Sequence, residues 1–479
     1  MSSLSEPRTY GGWRRSRSVG IGSWDTRQTI IVMSSVMIPL LCGMITGIAV
    51  AVYLTPVTLI VVVVTVGRRG GVVLLDLLRA WAGWRWADWR THTLYLGQVA
   101  TPVSRPWALP GVLAATKLLD VSDPGRGRTG VVWNQRSGQM SVTLLLSPAG
   151  ALLADTEVVN RQVAAWGALL AGLADDPLIR HAAVTIELVP ESGMQLVDHV
   201  TARLDPTAPA MARDVMTDLV TLAPRAAAQV RARLTITCDP AVGATSPRDV
   251  PAAVAEVLRA LNGLSVSAAG AEVIRRASAT DLIRIVRTAY DPDAESATQG
   301  WDDLRWQDAA PVRARDYYDH YRHEGACSMS WALLEAPRQR VAHDVLLHLL
   351  SPGRYRRRVT LMYRTLPRDV ASKVLESEVN AAATREEVRR RTRRDPNARE
   401  RADADRAARA AMEEAYGAGL VQWSLYVTTT VPDHDQLAEA RREVEQAAGH
   451  ARLKLRLSYG GQATGFTVGL CCGVYPGDA

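Results

Sequence analysis

The sequence predicts an α+β protein in two parts, an N-terminal two-helix transmembrane hairpin followed by a cytosolic α/β body, and three observations carry that prediction. Residues 28–67 contain no charged side chain. From residue 129 to the C-terminus, β-rich apolar runs alternate with helical stretches. Hydrophobic residues make up 47% and charged residues 22% of the 479, the balance of a chain that folds, and the length exceeds one ordinary domain.

The membrane part comes first along the chain. At 1.5 Å rise per residue, a forty-residue helix reaches roughly 60 Å, about twice the ~30 Å hydrocarbon core, so the run is expected to cross twice. The break is expected at Tyr53 to Pro56, because proline restricts its predecessor and Tyr53 suits an interface. Residues 1–27 then form a basic cytosolic N-terminus and residues 28–67 the hairpin. Arg14, Arg15, Arg17 and Arg27 precede the run, while Arg68, Arg69, Arg79, Arg85 and Arg90 follow it. By the positive-inside rule both termini lie in the cytoplasm, and the chain is a multi-pass inner-membrane protein. A cleaved signal peptide is the first competing reading, but the apolar stretch is too long and begins too late. A single steeply tilted helix is the second, and it would send the body outside.

Residues 68–96 read as a juxtamembrane amphipathic helix. Leu74, Leu77, Leu78, Trp81 and Trp84 recur at helical spacing, with Trp86, Trp89 and three arginines among them. Tryptophan beside arginine suits the headgroup layer, where a ring with one polar edge and a snorkelling cation both find their medium. An ordinary core helix would show the same spacing.

Residues 97–128, rich in Pro, Gly and Ser, read as a linker, and the folded body is expected to begin at Thr129. There VVWNQRSGQMSVTLLL gives two β-rich runs around a turn at Ser137-Gly138, followed by a helix around Trp166 and the strand AAVTIELV. Strand-like RARLTITC, a helix started by Ser246-Pro247, AEVIRRA and a helix through Ile283 to Tyr290 complete a first domain, 129–290. Residues 291–325 are turn-rich and read as a linker or insertion. A second domain, 326–479, runs through SMSWALLEA, a helix around Leu346, RRRVTLMYRTL, a long helix, LVQWSLYVTTTV, another helix and ARLKLRLSY. Short strands with hairpins between helices favour two α/β sandwiches of ferredoxin-like type.

The chemistry-bearing residues form no catalytic constellation. A nucleotide-hydrolysing motor needs a glycine-rich loop ending in Lys-Ser or Lys-Thr to neutralise phosphates. Only Lys117, Lys373 and Lys454 are lysines, and none sits in such a loop; GRGRTG at residues 125–130 has no lysine. DHYRHEGAC brings His320, His323, Glu324 and Cys327 close together, with His343 and His348 downstream, but a zinc site wants a cleaner pair of pairs. A polar insertion packing on the next strand is the plainer reading. Cys471 and Cys472 read as small core residues of a final helix, and five cysteines without a framework fit a reduced compartment. Paired carboxylates at Asp175-Asp176 and Asp302-Asp303 fall in turns. The expectation is a protein that is not an enzyme, with no cofactor and no metal.

Two arginine clusters bear on partners. Residues 385–409 hold ten arginines against six acidic residues, a mixture that suits solvated helices laced by ion pairs. The functional alternative is an arm docking an acidic partner through Arg389, Arg390, Arg391, Arg393 and Arg394. Mixed sign there, and a net charge of only +7 overall, weaken a nucleic-acid reading because nearby carboxylates cancel the counterion-release gain. Arg354, Arg356, Arg357 and Arg358 begin a strand, within reach of a membrane or phosphate surface or simply at a strand end in water.

RTYGGWRRSRSVGIG, the apolar hairpin, VVWNQRSGQMSVTLLLSP, WGALLAGLADDPLIRHAAVTI, RLDPTAP, AYDP, DHYRHEG, SMSWALLEAPRQRV, LYVTTTV and KLRL together resemble a family of actinobacterial integral-membrane proteins. That family is encoded beside a conjugation-type ATPase and is similar to EccE of type VII secretion; the likeness covers nearly the whole chain. The layout is also similar to a PrgI-type membrane hairpin joined to the N-terminal, non-ATPase domain of type IV secretion ATPases. The resemblance implies a structural or adaptor subunit of a translocation complex, with membrane lipid, a conjugation or secretion ATPase and other machine subunits as partners. Self-association stays open. The alternative is a membrane-tethered nucleic-acid-binding module of a DNA-transfer apparatus.

Overall fold

The structure, a computed structural model, describes residues 9–11, 13, 26–97, 108–123, 127–148, 150, 154–190, 200, 203–205, 207–222, 228–242, 249–264, 266–296, 301–367, 370–377, a few positions between 379 and 412, and 420–477. The chain is a mixture of helix and antiparallel sheet, as an α+β sequence should be. It divides into two compact units. A helical unit comprises Gly11–His92 with Leu366–Leu420, and a sheet unit comprises Met1–Tyr10, Thr93–Thr365 and Val421–Ala479.

In the helical unit, α1 (Thr26–Thr46) and α2 (Ile48–Val66) are separated by Gly47 alone, whose φ of 109° lies outside the reach of helical residues. The break is thus earlier than Tyr53 to Pro56. Pro39 and Pro56 are instead absorbed inside the helices, and Thr58 Oγ1 donates back to the Leu54 carbonyl in the turn beside Pro56. Gln28 Nε2, buried at the start of α1, donates to the Thr65 carbonyl near the end of α2 at 2.9 Å, so the two helices lie antiparallel. Among the described residues one helix, over Arg27–Ile45, has the length and apolar composition to cross a bilayer; α2 contributes a shorter apolar segment, Val52–Val66.

Residues 68–96 are not one helix. Arg68–Arg69 (β1) and Val72–Val73 (β2) form a small hairpin around Gly70 and Gly71, both with positive φ, as a two-residue mirror-image turn requires. Only Leu74–Trp89 (α3) is helical, and the segment after it enters the sheet unit.

The sheet unit holds β3 (Leu94–Leu96), β4 (Thr116–Asp123), β5 (Gly127–Asn134), β6 (Met140–Pro148), α4 (Thr156–Asp175), β7 (Ile179–Pro190), α5 (Ala210–Leu222), β8 (Ala228–Cys238), α6 (Val250–Ala260), β9 (Ala271–Arg276) and α7 (Ala279–Tyr290). It continues with β10 (Arg313–Asp316), β11 (Tyr321–His323), β12 (Ala326–Glu335), β13 (Arg356–Thr365), β14 (Val421–Val431), α8 (Leu437–His450), β15 (Lys454–Leu457) and α9 (Gln462–Thr467). Three expected boundaries move. The linker at 97–128 contains β4, whose LLDV alternation pairs it along all of β5, so the body starts before Thr129. The linker at 291–325 contains β10 and β11, strands too short to announce themselves and held by their neighbours. The helix expected around Leu346 is a run of turns that ends at Ser351-Pro352.

One thirteen-stranded sheet runs through both expected domains, in the order β3-β10-β11-β12-β14-β13-β7-β8-β6-β5-β4, with β15 beside β12 and β9 beside β6. Within it, β6, β7, β8 and β9 stand in the order fourth-first-third-second, and so do β12, β13, β14 and β15. The two sets meet where β7 and β13 pair antiparallel from Leu188↔Arg357 to His181↔Arg364.

The strands alternate between two faces. On one, Val142, Leu144, Leu234 and Ile236 pack under α4 and α6, and Met329, Trp331, Leu425 and Val427 pack under α8. The other face carries an apolar cluster under α7 and, beside it, a polar row. Directly opposed Ser and Thr hydroxyls hydrogen-bond across it: Ser141 with Thr237, Thr143 with Thr235, Thr185 with Thr360, Ser330 with Thr428 and Ser328 with Thr430, all at 2.8–3.1 Å.

Candidate functional site

The polar face is closed by the end of the chain. Beginning at α9, residues 462–475 cross the sheet, passing from β12 over the β13–β7 seam to β8 and β6. Their glycines make the crossing possible. A Cβ on Gly465 would meet Ser330; on Gly469, the hydroxyls of Thr360 and Thr185; on Gly473, those of Ser141 and Thr237. Gly469 and Gly473 also have φ of 81° and 65°. A glycine every fourth residue thus sits over one hydroxyl pair on β12–β14, one on β13–β7 and one on β8–β6.

Beneath this strap sits a buried ionic cluster. Glu187 is 2% exposed; its carboxylate accepts from Arg233 at 2.7 Å and from Arg356 at 2.9–3.0 Å, with Arg358 at 3.8 Å. Burial pushes the Glu187 carboxyl up, but the charges of Arg356, Arg233 and Arg358 outweigh it and hold the group well below the usual carboxylate range. One carboxylate cannot satisfy three guanidiniums, and main-chain carbonyls supply the rest. Arg358 donates to Phe466 O at 2.8 Å, Arg233 to Gly469 O at 2.9 Å, and Arg356 to Thr288 O at 2.8 Å. The Thr288 and Phe466 carbonyls are in the last turns of α7 and α9, where the helix dipole favours a cation. Burial lowers Arg358 to about 10, with Glu187 opposing, so it stays charged at neutral pH.

The arginine run of β13 is therefore not a strand end in water or a surface for phosphate. Arg356, Arg357 and Arg358 are buried; Arg357 pairs with Glu443 of α8 on the opposite face, and only Arg354 is exposed, against Glu439. His323 is fully buried. Its Nδ1 lies 2.6 Å from the Tyr290 carbonyl, which can only accept, so Nε2 accepts from the Ser328 hydroxyl at 2.8 Å. His320 meets Asp319 and stacks on Tyr317. Among the described residues no three His, Cys, Asp or Glu side chains converge as a metal site would require. Cys471 and Cys472 are buried in the strap beyond α9, not in a final helix. A shallow surface depression between Asp176, Leu178, Glu256 and Arg259 gathers no set of groups suited to catalysis.

The helical unit presents a different surface. Large apolar side chains of α1 and α2 face outward, with Ile45 83% and Tyr53 80% exposed. Arg27, at the start of α1, and Arg68 and Arg69, just past α2, are exposed at the same end of the pair. None of the residues of α3 is buried: Trp81, Trp86 and Trp89 are exposed and Trp84 is half-buried. The Arg90 guanidinium lies 5.4 Å from the ring centres of both Trp86 and Trp89. Arg14 and Arg15, and the arm of Arg389, Arg390, Arg391, Arg393 and Arg394, lie outside the described residues.

Sequence reasoning missed Glu187, Arg233 and the strap. The strap did leave a signal: glycine stands at 461, 465, 469, 473 and 477. No protein-family model matches the chain, and no curated protein matches it.

Proposed function

We propose that the protein is a non-enzymatic, membrane-anchored structural or adaptor subunit of a conjugative or secretion translocation complex of type IV or type VII kind, docking a partner ATPase. α1 and α2 form a two-pass hairpin in the inner membrane. At 1.5 Å per residue they are about 32 and 28 Å long, matching a hydrocarbon core of about 30 Å. Both termini are cytoplasmic, because the basic residues gather at the open end of the pair and the Gly47 end carries no charge. The two halves of the sheet are ferredoxin-like sandwiches sharing one sheet, and the chain between β13 and β14 carries the arginine arm that meets an acidic partner.

The single observation that supports this reading most is the antiparallel pair of helices with its large apolar side chains turned outward. In water such a surface would far exceed the few hundred Å² of contiguous apolar patch typical of soluble monomers. The sequence resemblance supplies the machine and its ATPase. Affinity purification of the full chain from its native membrane in mild detergent tests the role. An ATPase is expected to co-purify, and to be lost when Arg389, Arg390, Arg391, Arg393 and Arg394 are changed to Glu. Salt-sensitive DNA binding without any ATPase would overturn the adaptor role in favour of a nucleic-acid module.

A further inference from the structure

We propose that the open end of the helix pair and the tryptophan helix α3 form one headgroup-binding surface selective for anionic phospholipid, an inference that rests on the two-pass reading above. Continuity supplies the occupant. The two-residue turn at Gly70-Gly71 brings the chain straight back, and Leu74 N donates to Gly67 O at 2.9 Å, so α3 begins in contact with the last residue of α2's cap. Wherever α2 leaves the acyl layer, α3 starts.

Leu74, Leu77, Leu78, Trp81 and Trp84 recur three and four residues apart and share one side of α3, a side that also carries the Arg85–Asp88 ion pair. Arg79 and Arg90 fall on another, with Trp86 beside them. Tryptophan alone would bind any leaflet, because its ring needs only an apolar body and a polar edge. The arginines make the choice. Residues 68–90 carry five arginines and two aspartates, and Arg85 lies 3.7 Å from Asp88. Arg69, Arg79 and Arg90, with Arg27 at the start of α1, outnumber Asp76 and leave a cationic excess that an anionic leaflet complements and a zwitterionic one does not. Arg90, held over two indoles, is positioned to reach phosphate while those rings stay in the interface.

Hydrogen exchange on the full chain in nanodiscs of phosphatidylcholine, with and without phosphatidylglycerol, tests this. Amides of residues 74–89 are expected to exchange about tenfold more slowly when phosphatidylglycerol is present. High salt, or the combined variant Arg69→Gln, Arg79→Gln and Arg90→Gln, should erase that difference; these side chains are exposed, so folding is spared. Equal exchange of 74–89 in both lipids, with residues 28–66 protected in both, overturns the selectivity and leaves the anchor standing. Free exchange of residues 28–66 in both overturns the anchor as well.

Discussion

At the scale of single residues, the polar face of the sheet is where charge and burial meet. His323 is enclosed by Tyr290, Tyr321, Phe466 and Ser328, and burial lowers it to about 4, the Tyr290 carbonyl opposing and Arg358 and Arg356 assisting. The unfolded chain takes up this proton below about 6.5, whereas the folded chain refuses it until about 4. Its contribution is therefore full above pH 6.5 and lost as pH falls toward 4, a difference of about 3 kcal/mol. Asp316, raised to about 7 by burial despite the Ala463 and Gln462 backbone amides, gains its proton on folding and offsets that loss over the same range. The readout is accordingly the difference between wild type and His323→Gln. Thermal melting should show wild type losing several degrees more than the variant between pH 6.5 and 4, and equal slopes would contradict the assignment. The sequence did not reveal this role: a histidine beside Glu324 and Cys327 looks like a ligand until the Tyr290 carbonyl, 33 positions away, is seen to accept its Nδ1–H hydrogen bond. The β13 arginines misled for the same reason, since Glu187 lies 169 residues from Arg356.

Among elements, the C-terminal strap depends on the absence of side chains. Gly469→Ala would force a Cβ against Thr360 and Thr185 at a φ of 81°, which only glycine tolerates easily. Overpacking alone costs about 1–3 kcal/mol, with a further 1–2 kcal/mol or so for the left-handed backbone. Gly461→Ala serves as the control, because a Cβ there meets nothing within 4 Å. Melting of the two variants should separate by several degrees, with Gly469→Ala the lower; indistinguishable curves would mean that the strap is not packed on the hydroxyl row. The long central strands were legible as elements because burial on both faces writes them as apolar and hydroxyl runs, as in VTIEL and RLTIT. The short strands and the outermost one, β4, were not. RARD and YRH carry no pattern, and β4 is hidden by flanking glycine and proline; their neighbours in the sheet, rather than their own residues, make them strands. Similarly, the helix pair was legible from length and missing charge, but its corner was not, because proline marks a break less reliably in an apolar helix than glycine does at Gly47.

Taken as a whole, the molecule joins two four-stranded sets of the same strand order through a seam of eight residue pairs instead of leaving two separate sheets. β7 and β13 are each the outer strand of their set, and pairing them removes two long edges that would otherwise template association. The strap and Glu187 then tie the same seam from its polar face, while Trp166 of α4 meets Tyr363 of β13 from the other. Sequence could supply both sets but not their fusion, since nothing in a strand's own residues states which foreign edge it will meet. The proposed function makes the helix pair this body's membrane tether, and it turns on that pair crossing the membrane twice. A membrane-impermeant maleimide on intact cells tests it, in a Cys42→Ser background carrying either Thr46→Cys at the corner or Gln446→Cys on the exposed side of α8. The account predicts labelling of Thr46→Cys from outside and of Gln446→Cys only after the cells are opened. Labelling of Gln446→Cys on intact cells would contradict it.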